Sequence, residues 1–223
     1  MLASIEVRWF FDRDALSTPI VEGWIENESP YGDAGPIPKD VLWRERLEKK
    51  PDVYALVPGA ADMGIKWREG ELQVKARRED CGLSAFEGGL QGRVERWLKW
   101  SYKGQSIEAA FRPWFEKSAR GPRIVEVAKY RALRKIQIDA RGKATEVRPD
   151  TFPGRAVAVE VTALEVLGAR YWSIGLEAFP DDSGMSPALA EVANKFLSRL
   201  RGVPLTAANT DSYPSWLAKL TSR

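Results

Sequence analysis

The sequence predicts a single β-dominated α+β domain: an antiparallel barrel of eight strands, with helices at its periphery and C-terminus. Three observations carry this expectation. Segment after segment alternates apolar with polar side chains at a period of two, the pattern of half-buried strands. Turn residues separate the runs at hairpin distance, most clearly Glu69-Gly70 in GIKWREGELQVKAR. The one long run with helical periodicity falls late, after Ser186. At 223 residues the chain suits one domain, with a barrel over about residues 4–180 and a helical segment over about 186–223.

The elements follow in order. SIEVRWFF sets Ile5, Val7, Trp9 and Phe11 against Ser4, Glu6, Arg8 and Phe10. NESPYGDAGPIPK (27–39) reads as a loop, and 41–50 as a short charged helix stopped by Pro51. Residues 52–57 form a modest strand. In 64–77, Lys66 and Arg68 share a face opposite Ile65 and Trp67; beyond the turn, Gln73, Lys75 and Arg77 oppose Leu72, Val74 and Ala76. EDCGLSAFEGG reads as a loop. RVERWLKWS alternates Arg93, Glu95, Trp97 and Lys99 with Val94, Arg96, Leu98 and Trp100. A short helix over 106–115 is limited by Pro113. RIVEVAKYRALRK places Lys129, Arg131 and Lys135 on one side and Glu126 and Arg134 on the other. Residues 143–153 connect, with weak strand character over 144–147. AVAVEVTALE puts Ala158, Glu160 and Thr162 opposite Val157, Val159 and Val161, and YWSIGLEAF sets Ser173, Gly175 and Glu177 against Trp172, Ile174 and Leu176. A helix then opens with Ser186 as N-cap and Pro187 at its first position, and a second short one covers 215–220.

Composition removes several chemistries. With no histidine, imidazole cannot serve as base or metal ligand, which excludes a Ser-His-Asp triad and histidine zinc sites. The lone Cys81 forms no internal disulfide. No run approaches the ~18 apolar residues of a membrane span, and the first strand begins without a signal-peptide pattern. A cytoplasmic protein with no membrane partner is expected. The net charge of +3 is too small to announce nucleic acid, so the placement of charge carries the information. A hairpin that collects Lys66, Arg68, Lys75 and Arg77 on one face invites an anion, because opposed like charges destabilise a sheet. The plain alternative is a solvated charged face. Trp97 falls on a charged face, where stacking on an organic group competes with packing, the commoner role of a buried aromatic.

In its order of strands and charges, from about Ile5 to Phe179, the chain resembles the CYTH superfamily, the triphosphate tunnel metalloenzymes that include class IV adenylyl cyclases, thiamine triphosphatases and inorganic triphosphatases. SIEVRW resembles that family's first Glu-x-Glu-x-Lys strand, with Glu6 at the second acidic position, Arg8 in place of lysine and Ser4 where the first glutamate belongs. IKWREGELQVKAR resembles its paired cationic strands, Lys129-Tyr130-Arg131 its later Lys-x-Arg pair, and VEVT with GLEA its last acidic strands. The resemblance implies a tunnel-like barrel in which Arg8, Lys66, Arg68, Lys75, Arg77, Lys129 and Arg131 bind phosphate. It also implies that Glu6, Glu160 and Glu177 hold Mg²⁺ or Mn²⁺, hard ions that prefer oxygen ligands.

Three functions compete on this reading. One is a metal-dependent phosphohydrolase acting on a small tri- or polyphosphate. The second is a catalytically impaired module that binds polyphosphate, a nucleotide or RNA, since Ser4 weakens the metal set. The third is a scaffold barrel whose charged face meets solvent or a partner protein. Basic strands interleaved with aromatics also suit single-stranded nucleic acid, but such a groove has little use for the three glutamates.

Overall fold

Eight antiparallel strands close into a barrel, so the sheet has no free edge within the ring. The computed structural model describes residues 1–13, 18–27, 29–31, 43–44, 51–104, 106, 109–111, 113, 123–200, 202–203 and 205–222. Its strands are β1 (Leu2–Asp12), β2 (Trp43–Arg44), β3 (Asp52–Leu56), β4 (Met63–Arg68), β5 (Glu71–Phe86), β6 (Leu90–Lys103), β7 (Arg123–Ile138), β8 (Ala144–Val147), β9 (Ala156–Val166) and β10 (Ala169–Phe179). The ring runs β7-β3-β4-β5-β6-β1-β10-β9 and returns to β7, with β2 and β8 as short additions on β7. Helix α1 (Thr18–Glu26), α2 (Met185–Leu197) and α3 (Tyr213–Thr221) lie around it. Among the described residues no helix is long and apolar enough to cross a membrane.

Period-two alternation divides the side chains between two environments. Outward-facing Ile5, Val7, Trp9, Val159, Val161, Trp172, Ile174 and Leu176 are buried beneath α1 and α2 in the main hydrophobic core. Helix α2 contributes Leu189, Val192, Ala193, Phe196 and Leu197 from its apolar stripe. Gly92 is where this layer presses against the sheet: a Cβ there would collide with the Trp9 ring and a Val7 methyl. At one end the barrel interior itself is apolar. Phe10, Tyr54, Val125, Val127, Leu164 and Val166 pack there against Trp216 and Leu217 of α3. Phe10 stacks on Trp216 with ring centroids 4.2 Å apart. Helix α3 therefore seals that end.

Four expectations are corrected. The β4–β5 turn does contain Glu69 and Gly70, both at positive φ (51° and 78°), as a two-residue hairpin requires. That turn pairs Lys66 with Gln73, Arg68 with Glu71 and Lys75 with Gly64, so the four cations of the hairpin do not oppose one another. The supposed loop from Glu79 to Phe86 continues strand β5 through two register shifts, leaving Cys81 exposed on a strand. The expected helix over 41–50 contains instead Trp43–Arg44 as a strand paired with β7; its other residues lie outside those described. Helix α2 starts at Met185 with Gly184 as N-cap and no side-chain cap; Ser186 lies inside its first turn, where its hydroxyl accepts from Arg96 Nη2 (3.2 Å). The 27–39 loop falls largely outside the described residues; of the 106–115 helix, the described Ser106, Ala109, Ala110, Phe111 and Pro113 are helical. Helix α1 was not foreseen, although Thr18-Pro19 ahead of Val21, Trp24 and Ile25 is a helix-start signal.

Candidate binding site

The remaining interior of the barrel is a cavity of about 160 Å³. Nine of the ten predicted site residues line it: Glu6, Arg8, Lys66, Arg68, Lys75, Lys129, Arg131, Glu160 and Glu177. Arg77 does not; its Nη1 donates to Glu95 Oε1 (2.6 Å), and a register shift follows it on β5. Lys99 joins the lining, bringing its cations to seven. The C-terminal segment supplies the wall from Asp211 to Pro214. It is fixed to β1 by hydrogen bonds from Phe10 N to Asn209 O (2.9 Å) and from Asp211 N to Arg8 O (3.1 Å).

Five of the cations are organised around two carboxylates, the buried Asp52 and the half-buried Glu160. Asp52, whose side chain is 2% exposed, receives Arg68 through Nε and Nη2 (both 2.5 Å), Lys129 Nζ at 3.0 Å and Lys66 Nζ at 3.5 Å. Burial alone would raise its pKa, but Lys129, Lys66 and Arg68 hold it well below the usual carboxylate range. Glu160 receives Arg8 Nη1 (2.9 Å) and Arg131 Nη1 (3.0 Å). Against the cost of burial, these two guanidiniums keep it ionised. Arg8 reaches Glu160 across an intervening strand because Gly175 stands between them in register. A Cβ at Gly175 would lie 2.6–2.9 Å from the guanidinium atoms. Glycine here is a clearance requirement.

The lining from β6, β1 and β10 is mixed in sign. Glu95, Glu6 and Glu177 stand in one register row across β6, β1 and β10. Lys75 bonds Glu6, and Ser4 Oγ donates to the same carboxylate (2.6 Å). Burial, and then the charge of Glu6, push the Glu177 carboxyl above its ordinary value. Lys75 and Lys99 face each other directly across β5 and β6. Lys66 is held well below the ordinary lysine range by burial and by Lys129, with Asp52 only partly opposing. Two tyrosines close the sealed end: Lys129 Nζ donates to Tyr54 Oη (2.8 Å) and lies 4.0 Å from the Tyr213 ring centroid, a cation–π distance. Burial pushes the Tyr54 hydroxyl up to about 12.

Sequence reasoning missed Asp52, Tyr54, Gln73, Lys99 and Tyr213 as site residues. The phase of β3, with Asp52, Tyr54 and Leu56 on one face, carried a signal for two of them. Gln73 and Lys99 were on the right faces; Tyr213 had no strand pattern to reveal it. Trp97 lies on the cavity side, 2% exposed, its Nε1 donating to Glu95 Oε2 (3.2 Å).

The carboxylates expected to bind a metal fit that role only in part. Glu160 gives one oxygen to each of two arginines. Among the described residues no group of three or more Asp, Glu, Cys or His side chains is placed to hold an ion. Glu6 and Glu177 are the two that stand together.

No family model and no curated protein matches this chain. Among solved structures it is similar to a conserved hypothetical protein from Pyrococcus furiosus, at 14% identity and a TM-score of 0.43 over 94% of this chain and 98% of that one. It is also similar to a candidate adenylate cyclase from Bacillus halodurans, at 10% identity and a TM-score of 0.40 over 92% of this chain and 95% of that one. Likeness at this level carries no argument about fold or chemistry. The closed barrel stands on its own strand pairing.

Proposed function

We propose that this barrel binds the phosphate groups of a small polyphosphate or nucleotide. One observation carries the reading: seven lysine and arginine side chains from β1, β4, β5, β6 and β7 converge on a single cavity. Arginines fork onto phosphate oxygens and lysines act as point charges. A solvated face would not set a buried Asp52 and a half-buried Glu160 among five of those cations. The end sealed by α3 suits a small ligand better than a threaded strand of RNA. A cytoplasmic setting belongs to the same proposal.

A second reading, metal-dependent hydrolysis of that polyphosphate, is favoured by the Glu6–Glu177 contact. Mg²⁺ or Mn²⁺ held by this pair would neutralise charge on a terminal phosphate. Arg8, Lys129 and Arg131 would orient the phosphates and stabilise the developing charge.

The test is thermal unfolding with inorganic triphosphate at low salt, followed by assay of phosphate release with and without divalent metal. Ligand at a hundred times its Kd contributes about 2.7 kcal/mol, a rise of roughly 5–11 °C for a domain of this size, and added salt should shrink it. An unchanged melting curve at millimolar triphosphate refutes phosphate binding. Binding without release of phosphate refutes the hydrolase and leaves the binding module.

A further inference from the structure

Lys66 is the cation of the Asp52 cluster that is held most weakly. Arg68 takes both oxygens of Asp52 (2.5 Å each), and Lys129 Nζ lies 3.0 Å from Oδ2. Lys66 Nζ approaches that same oxygen only to 3.5 Å. Among the described residues no other acidic side chain pairs with Lys66. Its register neighbours, Tyr54 on β3 and Gln73 on β5, bring no charge of opposite sign. Lys129, Arg68 and Lys99 all repel its ammonium.

Buried in this company, Lys66 gives up its proton more readily than an ordinary lysine. The freed amine is a nucleophile, and it lines the cavity with 18% of its side chain exposed. A phosphate clamp has no use for such an amine, since lysine serves there as a point charge. Charge balance selects the electrophile. Around Asp52 three cations face one carboxylate. A carbonyl compound would turn Lys66 into a neutral imine. Carbon dioxide would turn it into an anion, leaving two cations opposite two anions.

We propose that Lys66 is a carbamylation site, whose Nζ takes up CO2 and holds it as a carbamate beside Lys129 and Arg68. The Nζ lone pair forms the new N–C bond, one C=O π pair of CO2 moves onto oxygen, and the nitrogen releases a proton to water. The remaining N–H donates to Asp52 Oδ2. The two carbamate oxygens meet Lys129 and Arg68, which already gather on that oxygen. This modification goes beyond the phosphate-binding reading and does not depend on it.

The ligand-free protein is equilibrated with isotopically labelled bicarbonate at about pH 8. Carbon NMR then looks for a carbamate carbonyl, and trapping with triethyloxonium followed by peptide mass spectrometry locates it. Only unprotonated amines react, and an ordinary lysine titrates near about 10.4. Trapped ethyl carbamate at Lys66 should therefore exceed that at the exposed Lys143 at least tenfold. Lys66→Met, similar in length and lacking the amine, should lose the NMR signal while keeping the wild-type circular dichroism. Lys129→Met should lower the trapped fraction at Lys66 severalfold, because Lys129 both repels the ammonium and receives the carbamate. Labelling at Lys66 no greater than at Lys143 overturns the inference on the wild-type protein alone, whatever the variants do. A carbamate signal that persists in Lys66→Met overturns it too, as does a trapped fraction that Lys129→Met leaves unchanged.

Discussion

Asp52→Asn removes one charge and leaves three cations in place, which makes it the sharpest probe of how the cavity is held together. Lys129 and Lys66 lie 3.0 and 3.5 Å from the carboxylate, and Arg68 meets it with two bonds of 2.5 Å. At an effective dielectric of about 20, a pair at 4 Å gains about 4 kcal/mol, and all three cations stand closer than that. Desolvation and mutual repulsion cancel much of this sum. Breaking a buried pair by removing one partner nevertheless costs about 3–5 kcal/mol, because the other charge is left uncompensated. For a domain of this size the melting temperature should fall by roughly 6–20 °C. The sign of the pH dependence follows from linkage. The folded pKa of Asp52 lies well below its ordinary value, so its stabilisation is complete above about pH 4 and is lost as pH falls through the lower folded value. The gap between wild type and Asp52→Asn should therefore hold steady from pH 5 to 7 and narrow in stronger acid. Calorimetry across pH measures both quantities. A fall of less than about 2 °C at low salt, or an equal gap at pH 3 and pH 7, would refute the role of Asp52 as the anchor of these cations.

Other outcomes follow from the same geometry. Gly175→Ala should displace the Arg8 guanidinium from Glu160; triphosphate affinity should drop at least tenfold with little loss of secondary structure by circular dichroism. Glu177→Gln should stabilise the protein at pH 7, since burial and Glu6 raise the pKa of this carboxyl; the gain should fade as pH falls toward about 4, where the wild-type group is protonated in both folded and unfolded states. Trp216→Ala should cost about 3–5 kcal/mol in chemical denaturation and open the sealed end, because Trp216 stacks on Phe10 and meets Tyr171 edge-on.

The two faces of each strand were legible in the sequence because side chains alternate with the backbone pleat, whatever the strand pairs with. Glu6 and Arg8 had to share a side with Phe10, as Lys129 did with Arg131. Partners were harder to read. Glu69-Gly70 specified the turn, but Lys75 meets Lys99 on the next hairpin and not Lys66 on its own. The stretch from Glu79 to Phe86 read as a loop because its glycine and serine suit turns, while bulges let the same residues continue a twisted strand.

The sequence by itself determined that a β-rich chain without histidine would gather lysine, arginine and glutamate on the inner faces of a barrel. Period two and composition are local properties, and they survive without knowledge of the fold. Only the tertiary structure decided which charges meet. Asp52 became the centre of three cations because closing β7 onto β3 brings Lys129 to it from 77 positions away along the chain. Gly175 mattered because Arg8 must cross a neighbouring strand. Tyr213 entered the cavity because the chain, after leaving the barrel, returns to pair with β1 at Trp9. Contacts of this kind depend on barrel closure and on the path of the C-terminal segment, and no periodicity in a single strand encodes either.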